Sequence, residues 1–160
     1  MLNWLGKKHQ QILDNMADGV YFVNPDGEIQ YWNRGAESLT GFSADDIVGK
    51  IFAQLPLQRE DAGGGLLQQY EHPVSLCLQE KKIISRNFFM VTKDERKIPV
   101  EENVSPLYKD GKMAGVIATF RDITRCVKTV ESQLRTEKKE RLIPICGWCK
   151  KIKSDENYWE

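Results

Sequence analysis

The sequence lacks long apolar runs, an excess of charge of one sign and a dense set of cysteines. No stretch approaches the roughly 20 apolar residues that a membrane-spanning helix needs. The 23 basic and 23 acidic residues balance, so charge gives no reason to expect binding to nucleic acid or to an anionic membrane. Four cysteines in 160 residues are too few and too scattered for a disulfide framework. With no signal-peptide core at the N-terminus, we expect a cytoplasmic protein.

Recognisable catalytic sets are also missing. The sequence shows no Ser/His/Asp arrangement, no phosphate-binding glycine loop and no pair of carboxylates in a supported cleft. A Cys-x-x-Cys pair is present at Cys146 and Cys149. Thioredoxin-like enzymes place such a pair at a helix start after a buried strand, whereas here it follows a charged segment. We therefore expect a non-enzymatic chain, with any enzymatic output domain outside it.

The segment from Asp18 to Phe42 predicts a strand, a tight turn, a second strand and a short helix. Two short runs of alternating apolar residues are separated by the turn residues Asn24-Pro-Asp-Gly27. Asn33 suits the N-cap of the following helix, and Gly41 suits its end. The change from a period of two to a helical period within one short segment is the strongest local signal in the chain.

The remaining half of the chain up to residue 124 predicts a one-turn helix capped by Ser43 and closed by Gly49, then one longer helix and three strands. A glycine-rich loop over 55–65 precedes the helix, which runs from Leu66 to Glu80 and must kink or restart at Pro73. The three strands are Ile83–Thr92, Lys97–Tyr108 and Met113–Arg121, separated by turns at 93–96 and 109–112.

These two segments resemble the opening and closing halves of bacterial PAS/PAC sensory-box domains, and together they cover residues 12–124. PAS domains are sensory and dimerising modules. The resemblance implies an α+β fold: a five-stranded antiparallel sheet in the order 2-1-5-4-3, with helices on one face. The predicted organisation is an N-terminal helix (1–16), a PAS domain (17–124), a coiled-coil signalling linker (125–141) and a Cys-x-x-Cys tail (142–160).

The end of the PAS-like segment predicts a signalling junction. Asp122, Ile123 and Thr124 resemble the junction through which PAS domains pass a signal to a C-terminal helix. Apolar residues then continue at the 4-3-4 spacing of a coiled-coil seam, which predicts a parallel homodimer. The alternative is a helix that folds back onto its own sheet. The predicted dimer seam is Val127, Val130 and Leu134.

The tail resembles a Cys-x-x-Cys-Lys-Lys-Ile segment that follows PAS and receiver domains in bacterial signalling proteins. Cys146 and Cys149 could clasp one zinc ion, but zinc takes four ligands and this pair supplies two. The dimer mate or residues beyond 160 would have to supply the others. Lys150 and Lys151 would lower the thiol pKa and so favour a reversible disulfide instead. The third interpretation is that Cys146 and Cys149 only pack against other side chains.

PAS domains bind cofactors in a pocket between the sheet and the helices, and the sequence allows some of these cofactors to be weighed. Covalent flavin chemistry of the LOV type is excluded, because residues 49–56 lack the required cysteine motif. A haem ligand would have to be His72, whose position before Pro73 argues against it. A small apolar or aromatic metabolite, or no ligand at all, is favoured. The candidate pocket residues are Tyr21, Trp32, Phe52, His72, Cys77, Phe88, Asn103 and Thr119.

The sequence thus predicts a sensory module that binds a small ligand and relays a signal through a dimeric C-terminal helix. Two alternatives stay open: a ligand-free dimerisation scaffold, and a thiol or zinc redox sensor. We expect this chain to be part of a longer protein, in two-component or cyclic-di-GMP signalling. The expected output domain is a GGDEF cyclase or a histidine kinase.

Overall fold

A computed structural model of the chain describes residues 6–127. The first of two compact units ends at Asp122 and the second begins at Ile123. No helix described between residues 6 and 127 combines the length and the apolar character needed to cross a membrane. Several predictions therefore lie outside the described residues: the linker helix beyond Val127, the seam residues Val130 and Leu134, and the tail with Cys146 and Cys149.

In the part of the chain that the structure describes, six antiparallel strands form one sheet in the order β2-β1-β6-β5-β4-β3. The prediction of five strands was wrong by one short edge strand. When β3 is set aside, the order is the predicted one. In chain order the strands are β1 (Gly19–Val23), β2 (Ile29–Trp32), β3 (Arg59–Glu60), β4 (Ile84–Val91), β5 (Lys97–Lys109) and β6 (Lys112–Asp122).

β3 lies in the segment for which the sequence predicts only a loop. Arg59 pairs with Met90 and Glu60 with Phe89 of β4. On the other side, the backbone N–H of Leu67 donates to the carbonyl of Arg59 at 2.8 Å. A strand of two residues is too short to show an alternating pattern. It forms here because the edge of β4 offers backbone partners.

Four α-helices accompany the sheet between residues 6 and 122, and the second and third of them have side-chain N-caps. The Asn33 side chain accepts a hydrogen bond from the N–H of Ala36, and Gly41 ends the helix with φ of 78°, which confirms both predicted caps. The predicted helix over 66–80 is shorter than expected and starts at Pro73, where the missing N–H costs nothing. The helices are α1 (Lys7–Asp14), α2 (Arg34–Thr40), α3 (Ala44–Ile47) and α4 (Pro73–Glu80).

The core lies between one face of the sheet and the helices. α4 packs against β4, β5 and β6, and α2 packs against β1. Along β5 the buried residues alternate with partly exposed ones, so Ile98, Val100, Glu102 and Val104 share the covered face. Glu102 is therefore a carboxyl group in a row of core residues, and it marks the position of the candidate site.

Candidate ligand site in the core

A buried hydrogen bond joins β1 to β5 across the core. The Tyr21 hydroxyl donates to Oε1 of Glu102 at 2.6 Å, and both side chains are fully buried. The other oxygen, Oε2, is buried with no hydrogen-bond partner among the described residues. A buried polar atom left in this way costs about 1–3 kcal/mol. Within residues 6–127, only one of the two carboxyl oxygens of Glu102 thus has a hydrogen-bond partner, which is unusual for a buried residue whose only role is to stabilise the fold.

Arg59 enters the same core from β3. Its side chain is only 3% exposed, and its guanidinium carbon lies 4.6 Å from the centre of the Phe52 ring and 5.8 Å from that of Phe88. Nη1 donates to the carbonyl of Leu57 at 3.4 Å. Nε and Nη2 are buried with no partner among the described residues. The site therefore contains a cation that lies close enough to act on Tyr21 and Glu102, but whose Nε and Nη2 make no hydrogen bond of 3.5 Å or less within residues 6–127.

Burial and this cation act in opposite directions on the neighbouring acids. Burial raises the pKa of the Glu102 carboxyl, while the charge of Arg59 and the hydrogen bond from Tyr21 lower it, leaving it above its ordinary value. The pKa of Tyr21 is raised well above its ordinary value by burial and by the charge of Glu102. Tyr21 is therefore a neutral donor throughout the physiological range.

His72 adds a neutral imidazole to the site. Its ring meets the Phe52 ring edge-on, with centroids 5.5 Å apart, and its Nδ1 is buried without a partner among the described residues. Burial, then the charge of Arg59, lowers the pKa of His72 to about 4. At neutral pH this residue is therefore uncharged, with one ring nitrogen available for a hydrogen bond.

We expect His72→Gln to reduce the loss of stability between about pH 6.5 and pH 4. Folding lowers the pKa of His72 from 6.5 to about 4, so in this range the unfolded chain binds a proton that the folded chain excludes. The contribution is present above about pH 6.5 and is lost as the pH falls. Because the ring is only partly buried, we expect about 1–2 kcal/mol after solvent screening.

Urea unfolding at several pH values from 7 to 4 measures this effect. The control is His9→Gln, because His9 is the other histidine of the chain and lies exposed on α1. An identical pH dependence in wild type and His72→Gln would contradict the prediction. Acidic residues that titrate in the same range affect both proteins alike and cancel in the difference.

The structure brings most of the predicted pocket residues together. The Tyr21 ring lies 5.4 Å from the ring of Trp32 and 6.0 Å from that of Phe52, measured between centroids. Cys77 on α4 is fully buried in the same core, where burial raises the pKa of its thiol. Phe88 also belongs to this core. These aromatic and aliphatic groups surround the polar atoms of Glu102, Arg59 and His72.

Asn103 and Thr119 lie on the other face of the sheet, away from this cluster. They pair across β5 and β6, and they border a surface pocket of about 250 Å³ together with Asp18 and Arg121. Successive side chains of a strand point to opposite faces. Since Glu102 faces the core, its neighbour Asn103 cannot, and this corrects their assignment to one pocket.

Two residues of the site are absent from the predicted set: Arg59 and Glu102. Glu102 had a readable signal, because it occupies an apolar position in the alternation of Ile98, Val100 and Val104. Arg59 gave no such signal in the sequence, since it stands in a segment that looks like a loop.

The predicted relay residues lie at the end of the sheet. Asp122 is the last residue of β6 and pairs with Val100, while Ile123 and Thr124 begin the second compact unit. Between residues 6 and 127 no group of three or more His, Cys, Asp or Glu side chains is arranged to hold a metal ion.

Comparisons with known proteins agree with this architecture. The chain is 25% identical over 124 residues to two-component system protein A of Emericella nidulans, covering 76% of this chain and 17% of that protein. It is 30% identical over 137 residues to the cell-division control histidine kinase PdhS of Brucella ovis, covering 81% and 12% respectively. The chain thus spans less than a fifth of the length of these relatives.

Solved structures show the same fold. The PAS domain of a Colwellia psychrerythraea protein superposes with a TM-score of 0.58 at 24% identity, covering 74% of this chain and 97% of that one. The PAS domain of nitrogen regulation protein NR(II) from Vibrio parahaemolyticus gives a TM-score of 0.53 at 24% identity, with coverage of 71% and 96%. The family profile described as PAS fold matches residues 13–128. This chain therefore belongs to the PAS-fold family.

Proposed function

We propose that this chain is a sensory module that binds a small ligand in its core and passes the signal to an output domain. The observation that carries the proposal is the set of buried polar atoms that have no hydrogen-bond partner within residues 6–127: Nε and Nη2 of Arg59, Nδ1 of His72 and Oε2 of Glu102. Leaving each such group without a partner costs about 1–3 kcal/mol. A ligand that hydrogen-bonds to them would recover this free energy, whereas a purely structural core would not retain them.

The sheet supplies a short route from this site to the end of the domain. Glu102 pairs with Phe120 of β6, and Asp122 follows two residues later. A ligand that moves β5 relative to β6 would therefore shift the start of the segment after Asp122. We propose that this segment acts in a homodimer and controls the output domain, with no catalytic role for this chain. The two-component and histidine-kinase relatives favour a histidine kinase as the output.

Native mass spectrometry of the purified chain tests the binding step. We expect a bound small molecule that is released when the protein is denatured. Glu102→Gln should reduce its occupancy about 10-fold, because one mismatched buried hydrogen bond costs about 1–3 kcal/mol. The control is Glu101→Gln, since Glu101 precedes Glu102 in β5, faces the other side of the sheet and pairs with Arg121 at the surface.

Equal occupancy in wild type, Glu102→Gln and Glu101→Gln would place the molecule outside this core. If the protein retains no molecule and binds none of a series of small carboxylates and their amides, the sensing proposal fails. A ligand-free dimerisation scaffold would then be the better account of the fold.

A further inference from the structure

We propose that the ligand carries a carboxylate group and that Arg59 recognises it through the edge formed by Nε and Nη2. This inference rests on the proposed function, since it names the ligand class of the same core site. It makes Arg59 the residue that decides which ligands bind. Glu102, His72 and the aromatic rings then form the remaining surroundings of the ligand.

The first argument is the geometry of the guanidinium group. Nη1 donates to the carbonyl of Leu57. Nε and Nη2, the two atoms without partners, share a single edge of the planar group. That edge offers two parallel N–H bonds spaced to fit the two oxygens of one carboxylate. The guanidinium carbon lies 4.6 Å from the centre of the Phe52 ring, and a bidentate carboxylate would approach along the Nε–Nη2 edge, in the plane of the guanidinium.

The second argument is charge. An arginine guanidinium is positively charged in proteins, and none of the ion pairs within residues 6–127 includes Arg59. The charge of Arg59 acts on the Glu102 carboxyl without forming an ion pair with it, and a buried cation that is incompletely compensated carries a desolvation penalty. His72 is neutral, and burial favours the neutral form of Glu102. The site therefore holds at most one negative charge against the cation and is favourable for an anionic ligand.

The third argument concerns the rest of the ligand. Phe52 and Phe88 flank Arg59, and Tyr21 stacks parallel to Phe52 with an interplanar angle of 10°. A flat apolar or aromatic body would pack well against these rings. Glu102 Oε2 and His72 Nδ1 are available for a second polar group. The expected ligand is therefore a small carboxylic acid with an apolar or aromatic body.

Calorimetric titration of the whole 160-residue chain with matched acids and amides tests this inference. The series is acetate, butyrate, benzoate and phenylacetate, each with its uncharged amide, and inorganic phosphate is included as a tetrahedral anion. We expect at least one carboxylate to bind at least 10-fold more tightly than its amide. Arg59→Met should weaken this binding about 10- to 100-fold, because hydrogen bonds to a charged group are worth about 1.5–3 kcal/mol.

Two further variants separate charge from geometry. Arg59→Lys keeps the charge but loses the two-donor edge, so its affinity should lie between those of wild type and Arg59→Met. Arg96→Met is the control, since Arg96 lies in an exposed turn and pairs with Asp94, and its affinity should equal that of wild type. Amides that bind as tightly as the acids, phosphate that binds more tightly than every acid, or a series in which no acid binds would each overturn the inference.

Thermal stability gives a second readout that needs no ligand. Because an unpaired buried cation is destabilising, Arg59→Met should raise the melting temperature of the dialysed protein by about 3–6 °C, and Arg96→Met should not. A lower melting temperature in Arg59→Met would make Arg59 a structural residue and contradict the inference. If the molecule found by native mass spectrometry is uncharged, the carboxylate inference fails while the sensing proposal stands.

Discussion

Replacing Asn33 by alanine is expected to lower the free energy of unfolding by about 3–5 kcal/mol, because one fully buried side chain makes four hydrogen bonds. Its Oδ1 accepts from the N–H groups of Val20 and Ala36, both at 2.8 Å. Its Nδ2 donates to the carbonyls of Leu13 at 2.7 Å and Asp18 at 3.1 Å. Alanine removes the Asn33 partner from all four backbone groups, of which the Leu13 carbonyl keeps the N–H of Met16, and it removes the N-cap of α2.

Urea unfolding followed by circular dichroism measures this loss. Asn87→Ala is the control, because Asn87 is exposed on β4 and surface substitutions of this kind change stability by about 0.5 kcal/mol or less. A loss below about 1 kcal/mol in Asn33→Ala would mean that water replaces the side chain. The four hydrogen bonds of Asn33 would then not be a major source of stability.

Replacing Gly115 by alanine is expected to cost about 3–5 kcal/mol, since it combines backbone strain with a steric clash. Gly115 has φ of 140°, which favours glycine. An added Cβ would lie far inside van der Waals contact with the carbonyl oxygen of Val23 and 2.8 Å from the ring of Phe22. Both obstacles belong to β1, so relief requires β1 and β6 to separate.

Gly111→Ala is the matched control for this substitution. Gly111 also has a positive φ, of 73°, but nothing lies within 4 Å of an added Cβ. We expect this variant to lose about 1–2 kcal/mol from backbone strain alone. Thermal and urea unfolding of both variants separates strain from clash. Equal losses in Gly111→Ala and Gly115→Ala would show that β1 and β6 accommodate the methyl group.

Asn33 shows what a local sequence pattern can predict and what it cannot. Its capping role follows from its place before a helical run, and the structure confirms it. Its bonds to Leu13 and Val20 could not be predicted, because they link residues 20 and 13 positions away. The same limit applies to Glu102, whose burial was readable from alternation along β5 but whose partner, Tyr21, lies 81 residues away.

Local sequence determined most of the strands, the turns, the helix caps and the family resemblance of this protein, because backbone preferences act over a few neighbouring residues. Tertiary structure alone decided that Arg59 is buried. Arg59 lies in the segment predicted as a glycine-rich loop, whereas in the structure its backbone pairs with Met90 of β4 and its side chain is buried. Burial of a charge depends on contacts between distant segments, so the residue that matters most for the proposed ligand is one that sequence could not reveal.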